Sequence, residues 1–397
     1  MVQTLQAQPA HLMRLAFFTS IVPDGVPTTG FEIANDAILS GLRGMGHEVV
    51  VIGFNLPRQK ASNQDDVIVL GRRELENSTA GAKDKLIWLA QAIRHGLPYA
   101  AAKLADFSGS ALDDVIALAG PFDGYILNSY QMAAVFPQLQ TVPHIYVAHN
   151  VEHQSASQNA QAVGSSLQRW LYQRDARLLK PLEEKLCADA NFVWTFSDAD
   201  VVGHSLKPEQ GSSLPLIVPQ VGEARATADK KYDAGLIGTW SWQPNFSGLK
   251  WFIEEVGPLL PASMKIAIAG SMPEAELDLG PQFTFLGRVD SAEAFLNSAH
   301  IVPLVSRGGT GVQLKTIEAF QAGHPCVVTA SSLRGIDEIP SNCRAADDAA
   351  EFARALVQLV ELSKSGQLPR IDGSEFFAKQ KSSMDEGLKR GIDSLQF

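Results

Sequence analysis

Short apolar runs alternate with stretches of helical periodicity along nearly the whole chain, and this alternation predicts the architecture before any single residue is considered. The run at residues 12–19, followed by a loop containing Pro23, Gly25, Pro27 and Gly30, reads as a buried parallel strand. A helix is predicted over 31–45, with Ile33, Ala37, Ile38 and Leu42 on one face, ending at Gly46 before a strand over 48–54. Further strands are predicted at 67–70, 124–128, 144–148 and 192–196, with helices at 86–104, 111–118 and 167–187. The stretch 222–232 is polar and without periodicity, which marks a linker. Beyond it the alternation resumes: strands at 234–237, 265–269, 283–286, 301–305 and 325–329, and helices at 249–256, 292–297, 312–322 and 349–362.

The fold class this predicts is α/β, with two Rossmann-like, doubly wound parallel-sheet domains facing a central cleft at the carboxyl ends of their strands. The expected division is 1–222 and 233–370, followed by a helical segment, 371–397, placed to pack back on the first domain. Length agrees, because 397 residues exceed what one ordinary core holds.

Charge and cysteine content narrow the function. A formal charge of −10 opposes nonspecific binding to nucleic acid, which demands a positive surface, so no nucleic-acid partner is expected. Cys187, Cys326 and Cys343 are widely spaced and form no Cys-x-x-Cys pair, which fits a reducing, cytoplasmic compartment better than a disulfide framework. The first ten residues lack a signal-peptide pattern, and no apolar run approaches the ~20 residues that span a bilayer.

The most informative segment follows the strand at 301–305: Ser306, Arg307, Gly308, Gly309, Thr310, Gly311, then a helical pattern carrying Lys315 and Glu318. A glycine-rich turn opening a helix leaves backbone N–H groups and the positive end of the dipole outward, an arrangement suited to a diphosphate. Arg307 and Lys315 add positive charge. Glu318, read as about seven residues into the helix and roughly 10 Å from its start at 1.5 Å per residue, is at the right scale to reach a ribose. Taken alone, the same residues also fit a plain turn followed by a Lys315–Glu318 ion pair on a solvated face. A dinucleotide fingerprint is disfavoured, since the third glycine of that motif is missing.

With this segment stand Gly44 to Val49, the block Ala148-His149-Asn150-Val151-Glu152-His153, the block Thr195-Phe196-Ser197-Asp198-Ala199-Asp200, and Gly238-Thr239-Trp240-Ser241-Trp242. In this order they resemble the retaining glycosyltransferases of family 4 and their GT-B relatives, over nearly the whole chain. The resemblance implies a nucleoside-diphosphate-sugar donor held by the C-terminal domain through Gly238, Thr239, Gly308, Gly309, Thr310, Gly311 and Glu318, the last matching the family's ribose-binding glutamate. It implies a glycan or lipid-linked acceptor on the N-terminal domain, where Thr28, Thr29, Gly30, Asn150, Glu152 and His153 are candidate contacts. His149, placed by the preceding strand at the carboxyl end of the first sheet, matches a histidine that lies near the donor sugar; with Arg307 and Lys315 it completes the candidate catalytic set. Two features depart from the family. Thr310 replaces the first motif glutamate, which leaves donor sugar and retention open, and Trp240 and Trp242 stand where a basic pair is usual.

Asp198 and Asp200 read as a helix start capped by Ser197 rather than as a metal motif, so neither metal nor cofactor is expected. Lys83, Lys85, Arg94 and Lys103 accompany Leu86, Ile87, Trp88 and Ile93, and Arg169, Arg174, Arg177 and Lys180 accompany Trp170 and Tyr172. Such helices seat at an anionic lipid surface, here the inner membrane, or else bury their apolar stripe in the core. The expected activity is hexose-like transfer in bacterial cell-surface polysaccharide or glycoconjugate synthesis. An epimerase-like or inverting enzyme and a degenerate binding subunit remain as alternatives.

Overall fold

The computed structural model describes residues 12–25, 27, 29–59, 65–218, 229–240, 243–271, 279–308, 311–336, 338–369 and 371–396. It divides into two compact units, one made of 1–195, 201–212 and 385–397 and the other of 196–200 and 213–384. The division falls earlier than the linker expected at 222–232, of which residues 222–228 lie outside the described residues.

The first unit carries β1 (Arg14–Ile21), β2 (Glu48–Asn55), β3 (Val67–Arg72), β4 (Gly124–Asn128), β5 (His144–Ala148), β6 (Phe192–Thr195) and β7 (Gly211–Ser213). They form one sheet in the order β3-β2-β1-β4-β5-β6-β7, with β1 to β6 paired in parallel. Strands covered on both faces must be apolar throughout: Leu15 to Phe18 and every residue of β4 and β5 are buried.

The second unit repeats the design with β8 (Tyr232–Thr239), β9 (Ile266–Ser271), β10 (Phe283–Gly287), β11 (Ala299–Leu304), β12 (Cys326–Val328) and β13 (Arg344–Ala345). Their order, β10-β9-β8-β11-β12-β13, and parallel pairing follow the same winding. In each sheet the strand order reverses at one point, between β1 and β4 and between β8 and β11. In open α/β sheets, ligands bind at the carboxyl ends of the strands beside such a reversal.

Several elements differ from the expected ones. The helix expected over 86–104 is two, Ala82–His95 and Tyr99–Ala102, because Gly96 turns left-handed at φ 65° and Pro98 follows. The helix Glu152–Ala162 has little apolar periodicity and gave no signal. The helix after the glycine segment begins at Leu314 and runs only to Gln321, so the glycines precede it rather than open it. Glu318 is therefore its fifth residue. The last helix, Ser374–Asp393, contributes Phe376 to the second unit, edge-on to Phe320 at 5.4 Å, whereas residues 385–397 group with the first. There the Trp194 indole donates to Gly387 O at 2.9 Å, and a Cβ at Gly391 would collide with the same ring.

Candidate functional site

In the second unit, β8 ends at Thr239 and β11 delivers the chain into Ser306, Arg307 and Gly308. A helix over Gln243–Trp251 packs against this exit so closely that a Cβ at Gly248 would strike the Val305 carbonyl. Asn245 ties the two sides together: its Nδ2 donates to Thr239 O at 3.1 Å and its Oδ1 accepts from Lys315 Nζ at 2.9 Å. Lys315 also lies 5.9 Å from the centre of the Trp240 ring. Burial, and then the charge of Arg334, lower its pKa to about 8. Gly238 adjoins the Trp240 ring, which any side chain there would crowd.

Glu318 is exposed on the helix flank, and its carboxylate makes no hydrogen bond or ion pair among the described residues. The surrounding protein mass raises its pKa above the usual carboxylate value by desolvation. The ion pair with Lys315 that the spacing allowed does not form, since Lys315 is held by Asn245. Arg307 is engaged elsewhere: its guanidinium lies 4.5 Å over the Trp251 ring and donates to Asp347 O at 3.2 Å. Gly308 and Gly311 both have positive φ, 79° and 75°, and Gly309 and Thr310 lie outside the described residues. A cavity of about 230 Å³ opens in this unit beside Ser197, Asp198, Ser213 and Arg334, but neither Lys315 nor Glu318 lines it. We place the candidate site at the strand ends, where Lys315 and Glu318 lie beside the point at which the strand order reverses.

In the first unit, His149 follows β5 and lies against two neighbours. Its ring stacks on Phe31 with centroids 4.8 Å apart, and its Nε2 is 2.7 Å from Asn128 Oδ1. Asn128 ends β4, and its Nδ2 donates to Asn35 Oδ1 at 2.8 Å and Thr19 Oγ1 at 3.2 Å. With the amide nitrogen so used, its oxygen is an acceptor, and the imidazole proton sits on Nε2. Desolvation lowers the His149 pKa to about 3, so the ring is neutral. Thr29 and Gly30 start the helix Gly30–Gly44, where Thr29 and Glu32 form a reciprocal capping box; Thr28 lies outside the described residues.

Beyond His149, Asn150 donates to Glu152 at 3.0 Å. The buried Glu183 carboxylate accepts the backbone N–H of Glu152 at 2.8 Å, that of His153 at 3.0 Å, and pairs with His153 Nδ1 at 2.8 Å. It thereby takes the place of an N-cap for the helix Glu152–Ala162. Asp198 accepts from Ser213, and Asp200 pairs with Ser197 at the start of the helix Asp198–Gly203.

Sequence reasoning missed Asn128, Glu183 and Arg334. A signal existed for the first two: a lone amide ending an apolar strand, and a lone acid in the buried stripe Leu179, Glu183, Leu186, Cys187.

Two doubly wound parallel sheets in series, each with candidate residues at its strand ends, have the GT-B architecture of glycosyltransferases. Residues 231–362 match the family model described as Glycosyl transferases group 1. None of the curated proteins matches the chain in sequence. Among solved structures, WaaG, a glycosyltransferase involved in lipopolysaccharide biosynthesis, is 14% identical, with 96% of this chain and 99% of that one covered and a TM-score of 0.58. Anabaena HepE in complex with UDP is 12% identical, with coverage of 96% and 100% and a TM-score of 0.59. A UDP-forming α,α-trehalose-phosphate synthase from Burkholderia xenovorans, in complex with glucose-6-phosphate, is 12% identical, with coverage of 97% and 100% and a TM-score of 0.60. At such identities the likeness is one of fold. Together with the family match it supports a glycosyltransferase, an enzyme of sugar transfer.

Proposed function

We propose that the protein transfers a hexose-like sugar from a nucleoside diphosphate to a glycan or lipid-linked acceptor in bacterial cell-surface polysaccharide or glycoconjugate synthesis. The observation that carries this reading is Glu318: a carboxylate unpaired among the described residues, on the helix flank, inside the segment that matches the family model, beside the cation Lys315. Glu318 accepts the ribose hydroxyls, and Lys315 and the Gly311 N–H receive the diphosphate. As the sugar–phosphate bond breaks, charge grows on the departing phosphate. A fixed cation there stabilises the transition state more than the bound substrate. His149, neutral and fixed in one tautomer, positions the sugar rather than moving a proton. Retention by front-face attack is our reading of the stereochemistry.

The reaction is read as metal-independent because Asp198 and Asp200 are engaged by Ser213 and Ser197, and activity should survive excess chelator. No helix of the described residues is long and apolar enough to cross a membrane. We place the protein in the cytoplasm, in peripheral contact with the inner membrane. Exposed Leu86, Ile87, Ile93, Leu167 and Trp170 beside Lys83, Lys85, Arg94 and Arg169 support that contact.

The test is a thermal-shift screen over nucleotides and nucleotide-sugars, followed by donor hydrolysis with the product anomer read by NMR. Release of nucleoside diphosphate and free sugar is expected. Isomerised sugar would indicate the epimerase-like alternative, and binding without turnover a scaffold.

A further inference from the structure

The chain leaving β12 passes through a short turn, Ala330–Leu333, to Arg334, and this residue grips the glycine segment at three points. Its Nη1 donates to Gly308 O at 2.9 Å, its Nε donates to Gly311 O at 2.9 Å, and its own carbonyl accepts the N–H of Gln313 at 3.2 Å. Ser331 adds a fourth tie, accepting Gly308 N–H at 3.2 Å. The remaining guanidinium nitrogen, Nη2, is buried and makes no hydrogen bond among the described residues. Gly335 keeps the backbone in place here: at φ 76° it passes so near the Phe196 carbonyl and the Val312 side chain that a Cβ would not fit.

Two consequences follow from elementary electrostatics. A planar fork bridging two carbonyl oxygens four residues' span apart fixes where those carbonyls point, and a lysine, with one nitrogen, cannot reproduce that span. The guanidinium also brings a permanent positive charge close enough to Lys315 to disfavour the ammonium there, and neither cation forms an ion pair among the described residues. The carboxylate that does act on Arg334 is Asp200, whose Oδ2 is hydrogen-bonded by Ser197. Holding two like charges near each other in a partly desolvated place is costly, and an anion relieves it.

We propose that Arg334, rather than Arg307, gives this unit its selectivity for a diphosphate: it is a positioning residue that shapes the ends of the glycine segment and, with Lys315, supplies charge that a phosphate group neutralises. The inference rests on the donor-binding reading above. It adds a requirement that reading does not make, since Glu318 and Lys315 could serve a nucleotide without Arg334.

The probe is inorganic pyrophosphate, which needs no knowledge of the base, measured on the full chain by calorimetry alongside the nucleoside diphosphate found in the screen and its parent nucleoside. Arg334→Lys keeps the charge and loses the fork; Arg334→Gln loses both. With folding checked by thermal unfolding, both variants should bind pyrophosphate and nucleoside diphosphate at least tenfold more weakly, Gln more so than Lys, with nucleoside affinity unchanged. Equal loss for the nucleoside, or wild-type pyrophosphate affinity in either folded variant, overturns the inference while the donor reading stands. If the wild-type protein binds neither pyrophosphate nor any nucleoside diphosphate, the donor reading itself falls. A second measurement needs no variant: pyrophosphate should slow amide exchange of wild-type peptides covering 306–313 and 331–336 together, and protection of the first without the second would sink the coupling.

Discussion

The amide oxygen of Asn128 lies 2.7 Å from Nε2 of His149, and the amide nitrogen is spent on Asn35 and Thr19, so the histidine is held in one tautomer by a residue one strand away. With a pKa lowered to about 3 by burial, His149 is neutral near neutral pH. Its ionisation should be absent from a pH–rate profile between about pH 5 and 8, the range in which an ordinary histidine titrates. His149→Ala should lower turnover and the specificity constant together while leaving nucleoside-diphosphate affinity intact. Asn128→Asp, which puts an anion against the ring, should raise the His149 pKa. Nitrogen chemical shifts of the imidazole read both charge and tautomer, and a ring protonated near neutral pH in the wild type would overturn the assignment.

Glu318→Gln should weaken nucleotide binding by ~1.5–3 kcal/mol, the worth of charge-assisted hydrogen bonds, without unfolding the protein. Among the described residues the carboxylate has no partner to leave stranded, so the substitution tests binding alone. Calorimetry with the ribose and the 2′-deoxyribose forms of the nucleotide decides the point. Equal losses for the two would remove the ribose assignment.

Lys315 gives the binding a pH dependence of definite sign. Its pKa in the unliganded protein is about 8, and a bound phosphate favours the charged form. Diphosphate affinity should therefore be full below about pH 8 and fall as pH rises through it, with Lys315→Met showing weaker and flatter binding. For folding the sign is opposite. The folded-state pKa lies below the ordinary value of about 10.4, so this lysine adds stability as pH rises from about 8 toward that value. Affinity that climbs between about pH 7 and 9 would contradict the phosphate role.

The sheets were legible because buried parallel strands must be continuous apolar runs, and β4 and β5 appear in the sequence with the limits they have in the structure. The helix Glu152–Ala162 was not, because its sequence, EHQSASQNAQA, has no apolar stripe; the buried Glu183 and the neighbouring helix hold it. At the site, Lys315 and Glu318 could be picked out by their place after a glycine segment, but their separation could not: the spacing permits an ion pair that Asn245, seventy positions away in sequence, prevents. Lys103, grouped by sequence with surface cations, is buried, with Nζ 4.6 Å from the Trp88 ring and hydrogen-bonded to Leu75 O at 2.6 Å. No local pattern announces such long-range partners.

Glu183 should prove costly to remove. Its side chain is 1% exposed, and its two oxygens satisfy the Glu152 and His153 N–H groups and the His153 ring. Glu183→Ala orphans two backbone donors at about 1–3 kcal/mol each, so a loss of about 3 kcal/mol in urea unfolding is expected. Glu183→Gln keeps the volume but turns an amide donor toward another donor, and should recover only part of the loss. A near-neutral Glu183→Ala would show that the helix Glu152–Ala162 holds its place without the carboxylate.

The proposed membrane contact turns on which side chains the two basic helices leave outside. Trp88 and Ala92 bury one face of Ala82–His95, yet Leu86 is 67% and Ile93 56% exposed, and on Ser166–Asp189 Leu167 is 60% and Trp170 45% exposed. The helices are joined, since the Arg174 guanidinium donates to Ala92 O at 2.5 Å and Leu97 O at 3.0 Å, capping the end of the first with a side chain of the second. Arg174 is thereby withdrawn from any lipid-facing set and Lys103 is buried, which leaves Lys83, Lys85, Arg94, Arg169, Arg177 and Lys180, all exposed, around the apolar side chains. Each cation adds about 1 kcal/mol of attraction near an anionic surface, and that attraction is screened by salt. Co-sedimentation with vesicles rich in phosphatidylglycerol should therefore be strong at low salt, weak with neutral vesicles, and reduced in a Leu167→Ser, Trp170→Ser double variant that keeps every charge. Because neither residue is buried, the double variant should fold and hydrolyse a soluble donor as the wild type does. Binding that ignores both lipid charge and these substitutions would show that the exposed apolar side chains serve some other contact.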